Sequence, residues 1–439
     1  MAFKKLEEKE IIYLFLLFLF VYTIFIGHTY GSNDGSRIAL TKSLVDYGTI
    51  SIDGYINYTR HIDYSVYNNK TYSDRPPLSS FMAVPIYLGI KALKISNENS
   101  QYFIFTFFMS AVASALLCVL FFETTKFFSK NNIARVFATV SFGFGTLIFP
   151  FSTIFMGHNI VSLFLLLSFY YVLSAKNIPA NENKLFLAGA SAGLAFLTDY
   201  PTLLIGLIIF IYSSTIFGKR SIKFLLPMLA VSSLLLAYNY FAFDDPLKLS
   251  YDNHGVYKQQ IGTDRGFSIP TLDAIINLTI TPFKGLFVFS PILLMIFYGG
   301  LKLYYKNKLE TKIIALIFIS YFILISSFWD YGGGWSYGPR YLIPILPFIS
   351  LLLLPAFDSK EKILFAMPLL ILSIIIMLIG AATNITQADM NPIYSAITVE
   401  KFFDRTFYYK FILEPSGIPA IVGFFIPLVG VCLLLRNLI

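Results

Sequence analysis

Apolar positions in this chain run in long stretches separated by short polar gaps. Stretches near the ~20 residues that a helix needs to cross a bilayer fall at 11–28, 104–124, 133–150, 159–175, 185–198, 201–217, 222–242, 286–304, 313–329, 341–356, 363–382 and 417–435. The pattern predicts an all-α, polytopic membrane protein of about twelve spans, one integral membrane domain over 1–439. The gaps form two sets. One is short and basic: "FKK" near the start, "TTKFFSKNNIAR", "FGKRSIK", "KLYYKNKLETK" and "SKEK". Basic gaps mark the cytoplasmic side. The other set holds the long segments 29–103, 243–285 and 383–416, which then face outside. This places a multi-pass protein in the cell (plasma) membrane with both termini cytoplasmic. The first apolar run is longer than a signal-peptide core and lacks a small-residue cleavage site, so it reads as a retained span. Asn-x-Ser/Thr triplets begin at Asn57, Asn69, Asn277 and Asn384, all in outer segments.

Segment 29–103 carries its own periodicity. "GSRIALTKSLVDYG" sets Ile38, Leu40, Leu44 and Val45 on roughly one helical face and ends on glycine. "PPLSSFMAVPIYLGIKALKI" is apolar, interrupted by Pro85, and ends in lysines. Both predict helices lying along the membrane surface. Gly189 and Gly193 form a small-xxx-small face that suits close helix packing.

Composition agrees with this pattern. Hydrophobic residues make up 56% of the chain and charged residues 13%, against about 25% charged in a soluble domain. The net charge of +8 does not indicate nucleic-acid binding, because the basic residues sit in loop gaps and not among stacking aromatics. Cys118 and Cys432 both lie in apolar runs and cannot build a metal site.

The candidate chemistry gathers at the outer edge. Asp34 and Arg37 follow the first span. Asp74 and Arg75 precede a double proline in "YSDRPPL". His158 and Asn159 open the fourth span. Asp199 and Tyr200 sit in "LTDYP", and Lys284 in "TPFKGLF". Asp330, Trp335, Tyr337 and Arg340 lie in "FWDYGGGWSYGPRYLIPILPF". Each has an ordinary reading alone: a helix cap, a turn residue, or an arginine reaching to headgroups. Charge near a bilayer is costly, so a group at one depth points to a shared site.

"NDGSRIALTKSLVDYGTIS", "YSDRPPLSSFMAVPIYLG" and "GGGWSYGPRYLIPILP" resemble three stretches of the GT-C fold glycosyltransferases. Within these, the similarity is to the group of protein O-mannosyltransferases and lipid A aminoarabinose transferases. The resemblance implies transfer of a sugar from a polyprenyl-phosphate donor to an acceptor glycan, lipid or protein, outside the cytoplasm. It sets Asp34 on the catalytic position, where a general base would give inversion, and Arg75 on the basic position. Arg75, Arg340 and Lys284 are the expected donor-phosphate ligands. Arg37, Asp74, His158, Asp199, Tyr200, Asp330, Trp335 and Tyr337 are the expected sugar or acceptor contacts. Many relatives carry a second acid where this chain has Gly35, and an Asp where it has His158-Asn159, which leaves a divalent metal open. The competing class is a transporter or flippase of a lipid-linked sugar. Such a protein would set charge near the bilayer midplane, where these spans have almost none.

Overall fold

The computed structural model describes residues 2–27, 30–177 and 183–382. The outer segment 383–416, the span at 417–435, Asn384 and Cys432 lie outside the described residues. Each expected apolar stretch up to 363–382 is helical in whole or in part. Among the described residues, five helical stretches are long and apolar enough to cross a membrane by length and composition. One of these, Tyr200–Phe243, holds two helices, Leu203–Phe217 and Ile222–Phe243, with a turn between them.

The expected surface helices form at Ser32–Asp46 and Leu78–Ala92. The second runs through Pro85, which does not interrupt it. Between them stands a β-hairpin absent from the all-α expectation: Tyr64–Tyr67 pairs antiparallel with Lys70–Ser73. Its turn residues Asn68 and Asn69 both take positive φ, 48° and 57°, the geometry of the tight turns that match strand twist.

The small-residue face works as expected. A Cβ on Gly189 would stand 1.9 Å from the Phe224 carbonyl oxygen, and one on Gly193 would stand 2.9 Å from that of Met228. The Asn183–Thr198 and Ile222–Phe243 helices therefore meet backbone to backbone.

The segment after Arg340 is not a plain helix. Pro344, Pro347 and Pro355 lack the amide proton that an α-helix needs. They break it into a 3₁₀ turn at Arg340–Ile345, a short helix at Leu346–Leu351 and a 3₁₀ turn at Leu354–Phe357. Every residue from Leu342 to Phe357 is buried. Arg340 thus heads an interior segment, not one facing lipid. Three of the basic gaps meet at one end of the bundle, where Asn131 donates to the Asp358 carbonyl, Lys176 pairs with Glu310, and Lys302, Lys306 and Lys362 line one pocket with Ser129. The polar residues singled out above lie at the other end.

Candidate functional site

A cavity of about 340 Å³ opens at that end. Its walls come from three distant stretches, residues 31–75, 251–261 and 328–341, with Met156 beside them. Hydrogen bonds stitch the first two together. Ser65 Oγ donates to the Ser250 carbonyl, Ser250 Oγ to the Asp74 carbonyl, and Gly255 N to the Tyr64 carbonyl, at 2.7, 2.7 and 2.9 Å. The third joins where Trp329 N donates to the Gly266 carbonyl at 2.8 Å.

Arg75 and Arg340 both line the cavity, and they differ in their partners. Arg75 is held by carboxylates, with Nη2 2.8 Å from Asp63 Oδ1 and Nε 3.1 Å from Asp74 Oδ2. Its Nη1 donates to Tyr251 OH at 3.1 Å. Arg340 has no carboxylate at ion-pair distance among the described residues. Its Nη1 reaches Met156 Sδ at 3.7 Å, its Nη2 reaches Tyr341 OH at 3.4 Å, and its buried Nε has no partner. The guanidinium stacks 5.0 Å from the Tyr341 ring centroid. Gly333, at φ +72°, leaves room for it, since a Cβ there would sit 2.8 Å from Arg340 Nε. A buried guanidinium with no carboxylate at ion-pair distance among the described residues has the chemistry to bind an anion.

Asp63, Asp74 and His254 bring ligand atoms within 4.8 Å of one another, and Asp74 Oδ2 has no aligned hydrogen-bond donor. Two features oppose a metal there. Arg75 already pairs with both acids and offsets one of their two charges. His254 Nδ1 accepts the Val256 and Tyr257 N–H groups at 3.1 Å each. In the neutral ring Nε2 then carries the proton and has no lone pair for a cation. The cluster fits a guanidinium, not a metal ion.

Asp34 is not on the cavity. It is fully buried in the first turn of its helix. Oδ1 accepts the Gly31 N–H and Oδ2 the Tyr102 hydroxyl, both at 2.7 Å. Burial pushes its carboxyl up to about 6, against the opposing pull of those hydrogen bonds. The expected base position is thus occupied by a helix cap facing inward.

Behind the cavity lies a pocket of about 20 Å³ that shares Asn33, Arg75, Tyr251 and Tyr341 with it and adds Arg37, His158 and Asp199. Asp199 sits in the turn between two helices and is partly exposed. Among the described residues its carboxylate makes no hydrogen bond, and its one ion-pair neighbour is His158 Nδ1 at 4.0 Å. Burial pushes Asp199 up to about 6, while Arg37, Arg75 and Arg340 draw it down. Arg37 is anchored by Asn33, through its carbonyl at 3.0 Å and its side-chain oxygen.

Other expected contacts are placed differently. Lys284 does not reach the cavity. Its Nζ donates to the Gly334 carbonyl at 3.2 Å, to Ser336 Oγ at 3.1 Å and to the Ser336 carbonyl. Burial, then Arg340, brings its ammonium down to about 7. It is a staple under the glycine loop. Tyr337 is buried, donates to the Ile376 carbonyl at 2.6 Å and packs edge-on against Phe289. Tyr200 hydrogen-bonds Ser250 at 3.1 Å and supports Tyr251. Asp330 and Trp335 do line the cavity. Asp330 Oδ1 accepts the Gly334 N–H at 2.9 Å, and Trp335 is 75% exposed. Asp63, Tyr251 and His254 were not foreseen. "SYDNHG" carries no motif, and only its stitching to the hairpin brings it to the site.

A scan of family models and a search of curated proteins found no match to the sequence. Among solved structures the chain is similar to ArnT, a lipid A aminoarabinose transferase from Cupriavidus metallidurans. The likeness to ArnT bound to undecaprenyl phosphate has a TM-score of 0.57 at 12% identity, over 96% of this chain and 76% of that one. The apo form gives 0.56 at 13% identity, over 98% and 76%. A weaker likeness, TM-score 0.49 at 12% identity over 85% and 55%, is to the archaeal oligosaccharyltransferase AglB from Archaeoglobus fulgidus with a dolichol-phosphate. The chain has the GT-C fold and is a membrane-embedded helical protein.

Proposed function

We propose that this protein is a membrane glycosyltransferase that moves a sugar from a polyprenyl-phosphate donor to an acceptor, on the extracytoplasmic side. One observation carries the reading. Arg340, buried and with no carboxylate at ion-pair distance among the described residues, shares a cavity with Arg75. The leaving group of the reaction is a phosphate anion on a lipid that stays in the membrane. Fixed guanidinium groups in a partly dry cavity stabilise the negative charge that grows on it.

The base role falls on Asp199 in this reading, in place of Asp34. A base must reach the acceptor, and Asp34 has both oxygens engaged away from the cavity. Asp199 has a free carboxylate beside the side chains that wall the cavity, with a pKa of about 6 that suits proton abstraction near neutrality. A single displacement with one base inverts the anomeric carbon. The transporter reading would draw on the broken segment after Arg340. Below Arg340, however, Ser350 is the only polar side chain of that buried stretch lacking an aromatic ring, and none carries charge. The test is donor consumption by purified protein with a panel of polyprenyl-phosphate sugars. Consumption that disappears in Arg340→Ala supports transfer, and no consumption of any donor defeats it.

A further inference from the structure

A second opening lies on the other side of the Asp74–Leu78 strap. It is a groove of about 610 Å³ between the Leu78–Ala92 and Ile222–Phe243 helices, roofed by Thr49, Ser51 and Lys70. Its walls are apolar: Leu78, Phe81, Leu197, Leu234 and Phe241. Leu234 and Phe241 are 59% and 74% exposed, on a helix that falls within a membrane-crossing stretch, so the groove opens sideways to lipid. It is not purely apolar. The Tyr238 hydroxyl is buried against it with no hydrogen-bond partner among the described residues. Lys70 at the roof has no carboxylate at ion-pair distance there.

The strap divides the two openings. Asp74 and Arg75 face the anion cavity, and Pro77 and Leu78 face the groove. Arg75 and Pro77 are two residues apart, at most ~7 Å along an extended chain. The small Asp199 pocket lies between, sharing Arg75 with the cavity and bordering the groove through Pro76 and Thr198, the neighbours of Pro77 and Leu197. The donor has its own apolar wall at Ile261, Trp329 and Trp335.

We propose that the groove holds the chain of a lipid acceptor, an amphiphile whose polar head presents a hydroxyl to Asp199. This rests on the transferase reading above and names the acceptor class. The bond from the sugar's anomeric carbon to the phosphate oxygen breaks, and its electron pair stays on the phosphate. The acceptor oxygen bonds to that carbon, and its proton passes to the Asp199 carboxylate. The unpartnered Tyr238 hydroxyl and Lys70 contact the head.

The test uses the full chain in nanodiscs of phosphatidylcholine doped with a phosphatidylglycerol that carries a diazirine on its acyl chain. After illumination, label is mapped by peptide, with and without excess undecaprenyl phosphate. Label should concentrate on the peptides holding Phe81, Leu234 and Phe241, and undecaprenyl phosphate should not displace it. Leu234→Trp, which fills the groove, should remove that excess. Tyr238→Phe, which keeps the ring, should lower it about two- to tenfold, the range of one hydrogen bond. Undecaprenyl phosphate binding, measured in the same discs, should persist in both variants and show that they are folded. Uniform labelling of all lipid-facing helices overturns the proposal, and so does displacement by undecaprenyl phosphate, which would make the groove the donor's. Failure of the wild type to bind undecaprenyl phosphate would instead sink the donor reading.

Discussion

Asp34 and Asp199 are both raised by burial to about 6. By that measure alone either is a base poised near neutrality. Their surroundings separate them. Asp34 is enclosed in the first turn of a helix, with one oxygen on the Gly31 amide and the other on Tyr102. Asp199 lies in a turn, with no hydrogen bond to its carboxylate among the described residues and His158 Nδ1 4.0 Å away. A shifted pKa says that a carboxyl is buried. Whether it can do chemistry depends on whether an oxygen is left over for a substrate.

The largest effect should come from removing the free carboxylate. Asp199→Asn should lower transfer by about 10²–10⁴ and leave undecaprenyl phosphate binding close to wild type. The wild-type rate should rise with pH through about 6, because only the ionised form accepts a proton, and the residual rate of the variant should lack that limb. Turnover within a few-fold of wild type would return Asp199 to a turn residue and remove the contrast with Asp34.

The same contrast exists between the two arginines, one held by carboxylates and one with none at ion-pair distance among the described residues. Arg340→Ala should weaken undecaprenyl phosphate binding by about 2–5 kcal/mol. Arg340→Lys should recover only part of it, because a point charge does not replace a fork. Isothermal titration or a filter assay with labelled lipid would show this. Equal binding by the Lys and Arg forms would mean that Arg340 supplies charge alone.

Much of the fold was readable because helix and membrane patterns are local. Each apolar run up to 363–382 gave helix, and Gly189 and Gly193 marked a real backbone contact. The hairpin was also readable in principle. "YSVYNNKTYS" places two asparagines between short β-prone runs. The site was readable only in outline. Arg75, Asp330, Trp335 and Arg340 were placed in one cavity by their common depth and their motifs. Depth does not report which way a side chain turns, and this is why Asp34, Lys284 and Tyr337 share that depth without lining the cavity. All three satisfy their polar atoms within the protein. Nor does local pattern show that "SYDNHG" pairs with a hairpin some 185 residues earlier, as Ser65 and Ser250 do.

Lys284 offers a smaller test of the paired and unpaired distinction. Its three N–H groups meet three acceptors in the loop beside Arg340. Its pKa is lowered to about 7, so it loses its charge and its third donor as pH rises through that value. Undecaprenyl phosphate affinity should therefore fall across pH 7 relative to Lys284→Met, whose profile lacks that component. Parallel profiles would mean that the staple does not influence Arg340.

The smallest effect on transfer should come from Asp34→Asn, and it tests the comparison most directly. The amide oxygen can still accept the Gly31 N–H, and the amide nitrogen can donate to Tyr102. Transfer should stay within a few-fold of wild type, with a loss of about 0.5–2 kcal/mol, the range for a helix cap. Asp34→Ala should be worse, because it strands two buried donors at about 1–3 kcal/mol each. The pH dependence separates the fold from the chemistry. A carboxyl raised in the folded state to about 6 adds stability below its unfolded value near 4, and that contribution is lost as pH rises through 6. Asp199 carries a shift of the same size. Thermal melts between pH 4 and 7 should therefore lose one such component in Asp34→Asn and an equal one in Asp199→Asn, while transfer collapses only in the second. If Asp34→Asn abolished transfer with its melting curve intact, the cap would be a base after all, and its carboxylate would have to turn from Tyr102 toward the cavity in the working enzyme.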